Sequence, residues 1–153
     1  MHAPHRTLAR QPAHAAYEAS GWVARIPSVP VVLNYCGLPW QRDENSLDVW
    51  WSGMRALAAC PNVAVKVSEL GLADRAWSEA DNLGIIRETI EIFGPSRALF
   101  ASNFPVARMR VNYHRWVAAV ERALEGFASD DRVAVFAGNA MHICQIETNE
   151  STA

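Results

Sequence analysis

Asn62-Val63-Ala64-Val65-Lys66-Val67-Ser68 decides the fold. In an extended chain Val63, Val65 and Val67 share one face, and Ala64, Lys66 and Ser68 share the other. Three small apolar residues on one side and a mixed set on the other suit a strand covered on both faces, as in a parallel sheet. Helical patterns flank it. Upstream, Leu47, Trp50, Trp51, Met54, Leu57 and Ala58 recur at i, i+3, i+4 spacing, and Pro61 stops them. Downstream, Ser78-Glu79-Ala80-Asp81 resembles a capping box. The helix it opens runs through Ile85, Ile86, Thr89, Ile90 and Phe93 to a Gly94-Pro95 stop.

Working outward, Pro30-Val31-Val32-Leu33-Asn34 is a second apolar, β-branched run. Gly37-Leu38-Pro39 ends it, and a polar loop, Gln41-Arg42-Asp43-Glu44-Asn45, follows. Arg97-Ala98-Leu99-Phe100-Ala101 reads as a third strand, with Ser102-Asn103-Phe104-Pro105 at its end. A third helix carries Trp116, Val117, Val120, Leu124 and Phe127 on one face. Ser129-Asp130 is expected to cap a last helical stretch through Val133, Phe136 and Ile143, interrupted at Gly138-Asn139. Strand and helix alternate three times, which predicts an α/β fold with a parallel sheet and right-handed crossovers. Such folds bind ligands at the carboxyl ends of their strands. Here those ends are Asn34-Tyr35, Ser68-Glu69 and Ser102-Asn103-Phe104, where the polar residues gather.

Composition narrows the classes. The chain has 153 residues, 50% hydrophobic and 20% charged, which suits a folded domain rather than disorder. A net charge of −2 leaves no basic stripe for nucleic acid. No apolar run reaches the ~18 residues of a membrane span. A (β/α)8 barrel takes ~250 residues, so this length holds one smaller domain or a piece of a larger one. Cys36, Cys60 and Cys144 show no CxxC spacing, which argues against a disulfide framework or a structural zinc site. A reducing cytoplasm is expected, and Met1-His2-Ala3-Pro4-His5-Arg6 lacks the apolar region of a secretory signal. His2 and His5 read as chance histidines on a mobile terminus. There is no GxGxxG, no GxxxxGK[ST], no GxSxG and no HExxH. A free-standing doubly wound binding domain would need a phosphate-binding glycine loop, and none is found.

Four stretches, in order, carry a family likeness: Val31-Val32-Leu33-Asn34-Tyr35-Cys36-Gly37-Leu38-Pro39; Leu57-Ala58-Ala59-Cys60-Pro61-Asn62-Val63-Ala64-Val65-Lys66-Val67-Ser68; Phe93-Gly94-Pro95-Ser96-Arg97-Ala98-Leu99-Phe100-Ala101-Ser102-Asn103-Phe104-Pro105-Val106; and Phe136-Ala137-Gly138-Asn139-Ala140. Together they resemble the amidohydrolase-related family, the lactonase and decarboxylase branch of the amidohydrolase superfamily. The resemblance implies a (β/α)8 TIM barrel, of which residues 22–146 are the C-terminal part with its last three βα units. Residues 1–21 are then an N-terminal extension or partial helix, and 147–153 a polar tail.

The departures bear on chemistry. The family motif carries a histidine where Tyr35 stands and, outside one branch, an aspartate where Asn103 stands. Its middle-strand serine is usually followed by glycine; here Glu69 follows Ser68. The resemblance implies a divalent metal in full-length relatives, holding a water whose pKa falls to near 7. An amide has no proton-accepting group for such a water, and a phenol is no imidazole. No metal ligand and no cofactor is therefore expected of this chain.

Asn103 and Tyr35 are the candidate catalytic residues. Asn103 can orient and polarise a lactone or ester carbonyl, or simply cap the loop backbone; Tyr35 is a pocket hydrogen-bonder or a packed aromatic. Lys66 and Ser68, sharing a face, are candidate substrate contacts, with an exposed lysine as the plainer reading. Glu69 should face away from them. Arg108, with Arg110, can grip an anionic substrate or sit solvated in its loop. His114 reads as a polar residue at a helix start or one that reaches the pocket rim, and His142 as a surface residue. Trp40, Trp50 and Trp51 line a pocket mouth or, at helical spacing, pack in the core.

Two functional readings follow. In one, the chain belongs to a hydrolase acting on a small lactone, cyclic ester or amide with little or no metal dependence, its missing N-terminal half supplied by a partner or a longer product. In the other, it is a non-catalytic truncated barrel serving as an assembly or binding module. Open strand edges and exposed inner faces would then favour a homo-oligomer.

Overall fold

A computed structural model describes residues 14–68, 70–72 and 74–146. The three apolar runs form one parallel sheet, β1 (Val31–Leu33), β2 (Val63–Val67) and β3 (Ala98–Phe100), in the order β1-β2-β3. The expected α/β architecture, part of a (β/α)8 barrel, is what the chain adopts. Helix α1 (His14–Val23) leads into β1 and packs on α2 (Glu44–Ala58); α3 (Glu79–Phe93) follows β2, and α4 (Tyr113–Ala123), α5 (Ser129–Val133) and α6 (Asn139–Ile143) follow β3.

The register sorts the strand side chains into two sets. Val31 pairs with Val63, Leu33 with Val65, Val65 with Ala98, and Val67 with Phe100. These residues pack with Trp50, Met54, Ile86, Ile90, Phe93 and Trp116 in the core beneath the helices. The alternate set, Val32 beside Ala64 and Lys66 beside Leu99, turns to the other face, and Ser68 continues it. β2, flanked by neighbours on both sides, has Val65 and Val67 fully buried, as a central parallel strand should.

Arg97 and Asn139 lock the amino end of the sheet. The Arg97 guanidinium donates to the carbonyls of Ala58, Cys60, Val63 and Phe93. The Asn139 amide donates to Pro95 at 2.6 Å and Ala98 at 2.8 Å. At the opposite end, Trp116 donates its indole N–H to the Ala101 carbonyl and fixes α4 to the exit of β3.

Local details depart from the sequence reading. Asp43, placed in a polar loop, accepts from the Ser46 amide at 3.0 Å and starts α2 ahead of Leu47. That helix ends at Ala58, before Pro61, as Cys60 closes a turn onto Leu57. Ser78 does cap α3, accepting from the Asp81 amide. Ser129 and Asp130 lie inside the first turn of α5; the cap position is Ala128, with no side-chain bond. Asp130 and Asp131 in that turn suit the helix dipole instead. Gly138-Asn139 does not interrupt the last helix: a π turn, Ala134–Gly138, carries it through to Ile143. His2, His5, Glu69 and the polar tail lie outside the described residues. Among the described residues no helix is long and apolar enough to cross a membrane.

Candidate active site at the strand ends

The exit of β1 is a left-handed turn. Tyr35, Cys36, Gly37 and Leu38 have φ of 54°, 48°, 69° and 57°. Left-handed backbone costs roughly 1–2 kcal/mol for each non-glycine residue, so the surroundings must impose it. The Gly37 amide donates to Asn34 at 3.0 Å and the Leu38 amide to Tyr35 at 2.8 Å. The Trp50 indole N–H donates to the Cys36 carbonyl at 2.9 Å. Gly37 sits so close to α2 that a Cβ there would lie 3.1 Å from Met54 Sδ and 3.2 Å from Trp50 Nε1. The Cys36 side chain is fully buried, its thiol toward the Lys66 carbonyl. Burial pushes that thiol up to about 12, outweighing Thr89, the Ser68 backbone and the Arg42 charge, which pull it down. It stays protonated and is a packing group, not a nucleophile.

The exit of β3 repeats the theme with one residue. Asn103 has φ 53°, a region asparagine enters more readily than most. Its carbonyl accepts from the Ala107 amide at 2.8 Å. The two left-handed residues meet: Tyr35 donates its hydroxyl to Asn103 Oδ1 at 3.2 Å, across 68 positions of sequence. Backbone turns on β1 and β3 thus aim one side chain each over the end of β2.

The other sequence candidates scatter around this pair. Ser68 is buried at the end of β2 and Lys66 half-buried on the same strand. Lys66 Nζ makes no hydrogen bond or ion pair among the described residues. Arg108 is exposed on the 3₁₀ turn Val106–Met109, and its guanidinium has no partner among the described residues. Arg110 instead donates to the Leu72 carbonyl. His114 and His142 are exposed. Trp50 is buried and Trp51 half-buried against it, while Trp40 stays 60% exposed.

A small cleft of about 190 Å³, counting its open mouth, lies beside Tyr35; Leu38, Pro39, Trp40, Arg42, Leu70 and Gly71 complete its lining. Arg42 is the residue that sequence reasoning passed over. It sits in a loop that looks solvated, yet its guanidinium turns inward to the carbonyls of Leu70 and Asp81 and the Asn82 side chain. Burial lowers its pKa, and the Asp81 charge partly restores it. The only advance signal is an arginine three residues after Pro39 at a strand exit.

Comparison with known proteins bears on the family and the fold. The amidohydrolase family model matches residues 1–143. The uncharacterized protein y4mH of Sinorhizobium fredii is 37% identical over 115 residues, 74% of this chain and 38% of that protein. The L-fucono-1,5-lactonase of Burkholderia ambifaria is 33% identical over 130 residues, 80% of this chain and 44% of the enzyme. An amidohydrolase of Burkholderia multivorans with bound zinc superposes with a TM-score of 0.80 at 27% identity, covering 89% of this chain and 51% of that one. The chain thus spans less than half the length of these curated relatives.

Zinc draws on imidazole, thiolate and carboxylate donors. The pair that meets here is a phenol and a carboxamide, bonded to each other. They do not fit as ligands of such an ion, so the ligands for any metal would be other residues. The family model over residues 1–143 and the matched relatives lead to one assignment: the chain belongs to the amidohydrolase family.

Proposed function

We propose that this chain supplies three βα units of a hydrolase that opens a small lactone or related cyclic ester or amide, with Tyr35 and Asn103 orienting the carbonyl. The observation that carries the reading is the Tyr35–Asn103 hydrogen bond between the exits of β1 and β3. The likeness to L-fucono-1,5-lactonases supports the substrate class. With its oxygen held by Tyr35, the Asn103 amide nitrogen faces away from the phenol. It carries two N–H protons and can serve a protein acceptor and a substrate oxygen together. As water adds to the carbonyl carbon, charge grows on that oxygen, and a fixed N–H donor lowers the barrier. Collapse then breaks the ring C–O bond and the leaving oxygen takes a proton. Neither Tyr35 nor Asn103 is the base for the water; that group is another residue. Lys66, Ser68 and Arg108 are assigned to the substrate's polar or anionic end. The open edges of β1 and β3 are assigned to the rest of a barrel, in a longer polypeptide or a second chain.

The test is turnover of a panel of small lactones, L-fucono-1,5-lactone included, by this chain together with the remainder of its barrel, with and without added divalent metal. Hydrolysis that drops about 10²-fold in Asn103→Ala supports the proposal. No turnover under any of these conditions would leave the non-catalytic assembly module in its place.

A further inference from the structure

The arginine in the β1 loop occupies an unusual position. Arg42 Nη2 donates to Asn82 Oδ1 at 3.1 Å and to the Leu70 carbonyl at 3.5 Å, and Nη1 donates to the Asp81 carbonyl at 3.3 Å. Nε is sealed from solvent and has no partner among the described residues. Three of the five guanidinium N–H groups are therefore engaged by protein acceptors and a fourth is enclosed. Asn82 is itself only 3% exposed. Its Nδ2 donates to the Ser78 carbonyl at 2.7 Å, which fixes Oδ1 as the end facing Arg42. Ser78 is the cap of α3. One guanidinium thus joins the loop after β1, the segment after β2 and the capped first turn of α3. Arg42 and Leu70 also line the cleft beside Tyr35.

We infer that Arg42 is a positioning residue: it clamps three strand-end segments together and so holds the wall of the substrate cleft against Tyr35. This rests on the lactone-opening reading for its substrate but not for its structural consequence. The planar fork is what the role requires, because a lysine ammonium presents its three donors from one nitrogen and cannot span acceptors that two separate Nη atoms reach.

The experiment compares wild type with Arg42→Lys, Arg42→Gln and Asn82→Ala by amide hydrogen exchange over residues 38–42 and 70–72. Melting temperatures and kcat and KM on L-fucono-1,5-lactone are measured on the same proteins. Asn82 is outside the cleft lining, so Asn82→Ala removes one acceptor of the clamp without changing a cleft residue. Exchange in both segments is expected to rise about tenfold in all three variants, with lysine giving no rescue. KM is expected to rise about tenfold while kcat stays within about twofold. Unchanged exchange in the variants overturns the clamp. A fall in kcat with KM unchanged overturns it too, since Arg42 would then act at the reacting atoms. If wild type together with the remainder of its barrel turns over no lactone, the proposed function fails and the exchange data alone decide the clamp. If the Arg42 variants do not fold, Asn82→Ala decides it.

Discussion

A phenol hydroxyl 3.2 Å from a carboxamide oxygen is a modest tie, worth about 1 kcal/mol net. Its value lies in direction, because it fixes which way the Asn103 amide points. Tyr35→Phe should therefore lower stability by about 1 kcal/mol, read by denaturant midpoint, and lower lactone kcat/KM by a larger factor than that loss of stability explains. Gly37 is where the site's backbone is least tolerant. At φ +69° and pressed on Met54 and Trp50, Gly37→Ala should cost about 1–3 kcal/mol and show as a lowered melting temperature. Cys36 makes a pH-dependent prediction. Its thiol is raised from 9.0 to about 12 in the folded chain, so the folded state holds the proton longer than the unfolded state. That contribution is flat below pH 9 and is lost as pH rises from 9 toward 12. Wild type should lose stability relative to Cys36→Ala across that window; parallel pH curves would refute the assignment.

At the scale of elements, the strands and long helices were legible because their apolar spacing is itself the cause of their burial. Val63, Val65 and Val67 alternate in sequence and line the core in the structure. What escaped was set by contacts distant in sequence. The π turn before Asn139 follows no local signal; Asn139 is held by carbonyls of Pro95 and Ala98, 44 and 41 positions away. The left-handed exit of β1 depends on Trp50 and Met54 of α2, so Gly37-Leu38-Pro39 announced a strand end but not its hand. At the candidate site, Tyr35 and Asn103 were both singled out from the sequence, but their meeting depends on β2 lying between their strands. Arg42 was missed because an exposed and an inward-turned arginine look alike in a polar loop. The amino-end lock makes a further prediction. Asn139→Ala strands two carbonyls and should destabilise by about 2–3 kcal/mol with little effect on KM; a large KM change at unaltered stability would place Asn139 in the site instead.

At the scale of the whole molecule, β1 and β3 each have an open edge among the described residues, and a parallel edge is seldom left uncovered. The relatives and solved structures are about twice the span matched here. The strand exits converge at one end, where Tyr35 and Asn103 meet. The most direct test is a double-mutant cycle on lactone hydrolysis with Tyr35→Phe, Asn103→Ala and the pair together. Each single change should lower kcat/KM strongly and the double change scarcely more than Asn103→Ala alone, as two residues acting through one hydrogen bond require. Losses that simply multiply, or a rate untouched by either substitution, would contradict it.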